Sequence, residues 1–235
     1  MDHQELQKRF ETLTTAHLAD ACLRARVPVR CAPAQLRPVV PGGRVAGRVR
    51  PARHVGSVDI FLEAFERSAP GDVLVVDNAA RLEEACIGDL VVLEARAAGL
   101  SGLVVWGLHR DTADILAIGL PVFSLGALPT GPQRLDPRPA EVLDSARVGE
   151  WTVTQEDLAL GDEDGVLFLP AARAAELFAL AEQIRDTERR QAERIRTGDT
   201  LRTQVHFDRY LAARRTRPDL TFRDHLRAVG GAIEE

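Results

Sequence analysis

The feature that most constrains this 235-residue chain is a recurring set of short, wholly apolar runs bounded by turn residues. Val73-Leu74-Val75-Val76 follows the turn Pro70-Gly71-Asp72 and ends at Asp77, Leu103-Val104-Val105-Trp106 follows Gly102, and Val122-Phe123 follows Gly119-Leu120-Pro121. Runs this short, with no polar alternation, read as strands buried on both faces. Between the first two, Leu90 to Ala98 has helical character, opening at Gly88-Asp89 and stopped by Gly99. Strand, helix and strand in succession make the centre of the chain α/β.

The flanks extend this reading. Leu6, Phe10, Leu13, Leu18, Ala21 and Leu23 fall near helical spacing before Pro28, which predicts an opening helix or helix pair over 5–26. Gly43 to Arg50 alternates small or apolar with basic side chains and predicts an edge strand or hairpin. Residues 60–65 and 111–118 read as helices, and 148–170 as β-rich, with a turn at Asp162-Glu163-Asp164-Gly165. Pro170 precedes a long helix to about Thr197 whose second half, DTERRQAERIR, is nearly all polar and cannot bury itself in its own core. Residues 1–200 are therefore expected to form one domain. Residues 201–235 are expected to form a helical tail packed on the same or a neighbouring subunit, with Phe207, Tyr210, Leu211, Phe222 and Leu226 at helical spacing and Gly230-Gly231 as its stop. His206 and His225, with Arg209, Arg214, Arg215 and Arg217, read as a solvated helical surface or a subunit contact.

Composition narrows the function classes. A net charge of -5, with no basic run interleaved with aromatics, gives no footprint for nucleic acid. Cys22, Cys31 and Cys86 show no paired spacing, so neither a disulfide framework nor a zinc-thiolate site is indicated. The N-terminus lacks the pattern of a secretory signal, and no stretch approaches the ~20 apolar residues of a membrane span, so a cytoplasmic protein is expected, without a membrane partner.

Chemistry concentrates at Gly88-Asp89-Leu90 and, 21 positions after Asp89, at Arg110-Asp111 beyond the end of an apolar strand, where ligands collect in α/β folds. Asp89 is expected to cap its helix, leaving the N–H groups of Leu90 and Val91 to receive a substrate carboxylate. Asp111 offers a hard oxygen ligand suited to Mg²⁺ or Mn²⁺, and Arg110 would face negative charge developing on a substrate oxygen. Taken singly, Asp89 also reads as an ordinary cap, and Arg110 with Asp111 as an exposed ion pair.

The whole pattern, GD-L-x8-G-x2-G-x4-G-x2-RD followed by G-x-PVF, resembles the signature of the RraA-like family, which includes 4-hydroxy-4-methyl-2-oxoglutarate aldolases and oxaloacetate decarboxylases. Leu18-Ala19-Asp20-Ala21, PGDVLVVD at 70–77 and Asp162 to Val166 ending in Pro170 are similar to family segments, so the likeness spans roughly 12–200. It implies a three-layer β/β/α swivelling, phosphohistidine-like fold, assembled as a homotrimer or homohexamer. It also implies a divalent-metal-dependent lyase that releases pyruvate from a 4-hydroxy-2-oxo acid or decarboxylates oxaloacetate through the same enolate. By that resemblance Asp111 binds the metal, Arg110 contacts the pyruvyl oxygen, Asp89 works through water, and Gly88 to Val91 supply backbone donors to the carboxylate. A glutamate from an adjacent subunit completes such sites; the polar helix around Glu188 is its expected source, with Glu193 as runner-up. The single lysine, Lys8, lies in the N-terminal helix, and the expected route needs no Schiff base.

Two departures bear on specificity. Trp106 stands where many members carry an aspartate and reads as core or pocket wall. His109 replaces a usual apolar residue and reads as a hydrogen-bonded histidine rather than a ligand, since no second His or Cys stands at zinc spacing. The rival readings are a catalytically silent regulator that binds an RNA-degrading endonuclease and a specialised biosynthetic lyase on another oxo acid. A methyltransferase is disfavoured, because no G-x-G-x-G loop follows a strand.

Overall fold

The computed structural model describes residues 1–229. The Gly230-Gly231 stop lies outside the described residues. The chain opens with α1 (His3–Phe10), α2 (Thr15–Arg24), β1 (Arg30–Cys31), β2 (Arg37–Pro38), β3 (Val45–Arg53) and α3 (Asp59–Glu66). Its centre comprises β4 (Val73–Asp77), β5 (Ala85–Ile87), α4 (Asp89–Ala97), β6 (Gly102–Trp106), β7 (Leu108–His109), α5 (Thr112–Ile118) and β8 (Val122–Ser124). The second half runs through β9 (Ser145–Val148), β10 (Trp151–Thr154), β11 (Asp157–Asp162), β12 (Gly165–Pro170), α6 (Ala174–Arg196), α7 (Leu201–Gln204), α8 (Phe207–Thr216) and α9 (Phe222–Val229).

An eight-stranded sheet has the order β1-β12-β11-β3-β4-β6-β8-β2, with β3, β4, β6 and β8 parallel and the rest antiparallel to their neighbours. Strand side chains alternate between faces, and here both faces are apolar. Leu74, Val76, Leu103 and Val105 join the core under α3, α4 and α5. Val73, Val75 and Val104 join a second core that also holds Ala159 and Phe168 from β11 and β12 and Ala146, Val148 and Val153 from the β9–β10 hairpin. Side chains from both halves of one sheet meet in that second core, so the sheet curls on itself. The β/β/α stack implied by the resemblance is thus present. Outside it, α1, α2 and α6 cover the other face of β11 and β12 through Leu158, Leu160, Leu167 and Leu169.

The segment expected as an edge strand is a correction. β3 lies between β11 and β4 in the interior of the sheet. Its small residues permit this: a Cβ on Gly47 would overlap the Gly71 carbonyl oxygen, so close approach there requires glycine. In the tail, Phe207, Tyr210, Phe222 and His225 form a ring cluster with centroids 5.1–6.0 Å apart. His225 is therefore buried rather than solvated, and its Nε2 lies 2.8 Å from the Val205 carbonyl oxygen.

Leu74→Ala, which empties a fully buried position, is expected to cost about 2–5 kcal/mol in denaturant unfolding. Leu62→Ala, on the exposed side of α3, is expected to stay within about 0.5 kcal/mol of the parent in the same measurement.

Candidate functional site

A small parallel ladder closes the 21-position gap between the two motif halves. β5 pairs with β7, and the Arg110 N–H donates to the Ile87 carbonyl at 3.0 Å, which sets Gly88-Asp89 beside Arg110-Asp111. At Gly88 the missing side chain is required: a Cβ there would overlap Asp111 Oδ2 and crowd Arg110. Asp111 adopts a left-handed conformation (φ 59°), which Asp tolerates better than most residues, and caps α5 through its backbone while its carboxylate makes no cap hydrogen bond. That carboxylate stands over Gly88 with Oδ2 3.3 Å from Arg110 Nε, and both side chains remain partly open to solvent, 49% for Arg110 and 35% for Asp111.

The N-cap of α4 is Gly88, so Asp89 is the first helical residue rather than the cap. Gly88 has the extended backbone a cap needs, and its carbonyl accepts the first intrahelical bond from Val92 N–H at 3.2 Å. The N–H groups of Asp89, Leu90 and Val91 precede that bond and so have no partner within the helix. They lie at the positive end of α4, and Gly88, Val91 and Arg110 line a cleft of about 150 Å³ closed by His54, Ile87 and Pro132. The arrangement can hold a carboxylate at the helix start, with a guanidinium and a half-open carboxylate beside it.

The described residues hold no cluster of three or more His, Cys, Asp or Glu poised for a metal. A donor set of Asp111, with Asp89 as the next carboxylate in the motif, fits a hard divalent cation that keeps most of its waters, not a closed protein cage.

A buried polar network behind the cleft escaped the sequence reading. Asn78 Oδ1 lies 2.9 Å from His54 Nδ1 and accepts from Arg134 Nη2 at 2.9 Å; Arg134 Nε donates to Glu84 Oε1 at 3.0 Å. These residues come from loops more than twenty positions apart in sequence, and no local spacing ties them together. Burial pushes the His54 imidazole below its ordinary value of 6.5, with nearby Arg134 acting in the same direction against the Asn78 hydrogen bond and the Glu84 and Asp136 carboxylates.

The residues matched by a family model, described as RraA-like with the name Aldolase/RraA, are 15–168. The chain belongs to the RraA-like family. The family includes aldolase-type members and RNase inhibitor members. A Halalkalibacterium halodurans protein, provisionally named a 4-hydroxy-4-methyl-2-oxoglutarate aldolase, is 27% identical over 149 residues, covering 63% of this chain and 70% of its own. A crystal structure of an uncharacterized Pseudomonas syringae pv. tomato protein superposes with TM-score 0.72 at 28% identity, covering 84% of this chain and 95% of that one. Streptomyces coelicolor RraAS2, described as an unusual member of the RNase ES inhibitor RraA family, shares the fold with TM-score 0.69 at 23% identity, covering 81% and 98%.

Within this RraA-like chain, Gly88, Asp89, Leu90, Val91, Arg110 and Asp111 come together, whereas Glu188 and Glu193 do not join them. Glu188 lies on α6, its Oε2 3.1 Å from His17 Nε2 on α2, and Glu193 accepts from Arg196 at 3.2 Å. The α6 helix belongs to the core beyond the antiparallel strands, away from the α4–α5 layer. His109 is buried, its Nδ1 2.7 Å from Ser124 Oγ and its Nε2 3.0 Å from Thr112 Oγ1, so it anchors the start of α5 as a hydrogen-bonded histidine. Among the described residues no helix is long and apolar enough to cross a membrane. The three cysteines are free thiols.

The lowered His54 value has a stability consequence. An imidazole harder to protonate folded than unfolded contributes stability that is complete above 6.5 and is lost as pH falls from there through the folded value. Thermal unfolding followed from pH 7.5 to 5 (roughly spanning the histidine range) is expected to show a falling Tm, with a shallower fall in His54→Gln.

Proposed function

We propose that this RraA-like protein is a divalent-cation-dependent carbon–carbon lyase that releases pyruvate from a 4-hydroxy-2-oxo acid and also decarboxylates oxaloacetate. The supporting observation is the convergence at Gly88 of an open helix N-terminus, the Arg110 guanidinium and the uncapped Asp111 carboxylate. Asp111 makes no side-chain cap bond to its own helix, which leaves its carboxylate, beside Arg110, available to a ligand.

In this reading the Asp89, Leu90 and Val91 N–H groups bind the substrate carboxylate, and Arg110 faces the 2-oxo oxygen. Asp111 is the protein ligand to the cation, Mg²⁺ or Mn²⁺, and Asp89 reaches the same site through water. When bound, the cation supplies Lewis-acid polarisation of the 2-oxo group.

A base takes the proton from the 4-hydroxyl, the C3–C4 bond breaks, and its electron pair passes to C3–C2, giving a carbonyl fragment and the enolate of pyruvate. Arg110 stabilises the charge gathering on the C2 oxygen. Water held by Asp89 returns a proton to C3. With oxaloacetate, carbon dioxide departs from C3 and the same enolate and proton return follow. Glu188 is proposed to act at the site of a neighbouring subunit within a homotrimer or homohexamer, since its own helix lies on the other side of the chain; the protein is proposed to work in the cytoplasm.

Pyruvate release from 4-hydroxy-4-methyl-2-oxoglutarate and from oxaloacetate, with Mg²⁺, Mn²⁺ or EDTA, tests this reading. Asp111→Ala is expected to abolish release, Arg110→Gln to slow it about a hundredfold or more, and EDTA to mimic the Asp111 change. Gly88→Ala, whose methyl group displaces the Asp111 carboxylate, is expected to lose activity while unfolding at nearly the parent temperature. No release from either substrate with any cation would overturn the proposal and leave the specialised lyase on another oxo acid and the regulator as the readings.

A further inference from the structure

A second groove opens at the carboxyl ends of the central parallel strands. Arg53, Asp77 and Trp106 close β3, β4 and β6 at one register level, and each falls on the face that carries Val49, Val75 and Val104. With Arg147 and Thr152 of the β9–β10 hairpin they line a space of about 580 Å³, within the range of small-ligand pockets. The carboxyl ends of parallel strands are where α/β sheets bind ligands.

Arg53 is only half exposed, yet among the described residues its guanidinium has no partner. Asp77, by contrast, is fully tied: Oδ1 accepts from Ala79 N–H at 2.9 Å and Oδ2 from Arg147 N–H at 3.1 Å. Ala79 and Ala80 both take left-handed backbone conformations, φ 53° and 54°, and Ala80 is held there by donating to the Trp106 carbonyl at 3.2 Å. Two consecutive non-glycine residues in that region are strained, and such strain gathers at ligand-binding segments.

We infer that this groove binds an aromatic monocarboxylate, with its ring against Trp106 and its carboxylate on Arg53. Two guanidinium groups against one carboxylate leave the groove a single net positive charge, which a monoanion matches; a dianion would meet Asp77. Arg53 and Trp106 stand two strand spacings apart, roughly 10 Å between backbones, so their long side chains can approach one small ligand from opposite sides of the Asp77 strand. A planar guanidinium grips a carboxylate with two parallel hydrogen bonds, and the indole takes the ring by offset stacking. The site is separate from the Gly88–Asp111 cleft, so the inference does not rest on the proposed lyase activity.

Calorimetric titration of the full chain with benzoate, benzamide and cyclohexanecarboxylate tests it. Benzoate is expected to bind saturably, about tenfold or more tighter than neutral benzamide and roughly fivefold tighter than the non-aromatic acid. Arg53→Gln is expected to erase the first preference, Trp106→Leu the second, and Asp111→Ala neither. In the parent protein, benzoate is expected to move the indole N–H resonance of Trp106 and leave that of Trp151, which is bonded to the Cys31 carbonyl, in place. The inference is overturned if benzoate does not saturate in the millimolar range, if both preferences survive in folded Arg53→Gln and Trp106→Leu, if Asp111→Ala abolishes binding, or if the Trp106 resonance stays still.

Discussion

The double burial of β4 organises this molecule. Val73, Leu74, Val75 and Val76 have no solvent exposure, and because strand side chains alternate, two separate covers are needed. Helices α3, α4 and α5 supply one; the curled antiparallel half of the sheet and its hairpin supply the other. With both faces sealed, the polar openings of the central strands are left at their ends, and there Arg53, Asp77 and Trp106 stand.

The candidate lyase site uses the same frame one step out. The turn after β4 leads into β5, whose ladder with β7, extended by the 3.0 Å backbone hydrogen bond from Arg110 to Ile87, sets two distant motif halves in contact. Glycine at 88 is then a consequence of geometry, because the Asp111 carboxylate occupies the volume a side chain would take. Gly88 and Val91 at the start of α4 line one cleft with Arg110, and buried His109 steadies α5 from behind through Ser124 and Thr112.

Much of this was legible in the chain, for definable reasons. The apolar runs at 73–76 and 103–106 mark buried strands because they are of strand length, rich in valine and bounded by turn residues, and the Gly88-Asp89 and Arg110-Asp111 pairs mark a candidate site beyond the strand ends. What was not legible depends on contacts far apart in sequence. β3 alternates like an edge strand, yet it lies inside the sheet because small residues allow β11 and Gly71 to approach. His225 has polar neighbours in sequence but an aromatic cage in space. The His54–Asn78–Arg134–Glu84 network spans three loops, and the left-handed Ala79-Ala80 pair carries no glycine to announce it. Asp89 was displaced from the cap by one position, since Gly88 reaches the extended conformation and leaves room for Asp111.

Exchange of the pyruvate methyl protons in D₂O, followed by proton NMR, tests the proposed formation and reprotonation of the pyruvate enolate without any assumption about the second substrate fragment. Exchange is expected to require a divalent cation and to be lost in Arg110→Gln and in Asp111→Ala. Exchange no faster than in protein-free solution with every cation supplied, or exchange that persists in both variants, would contradict it.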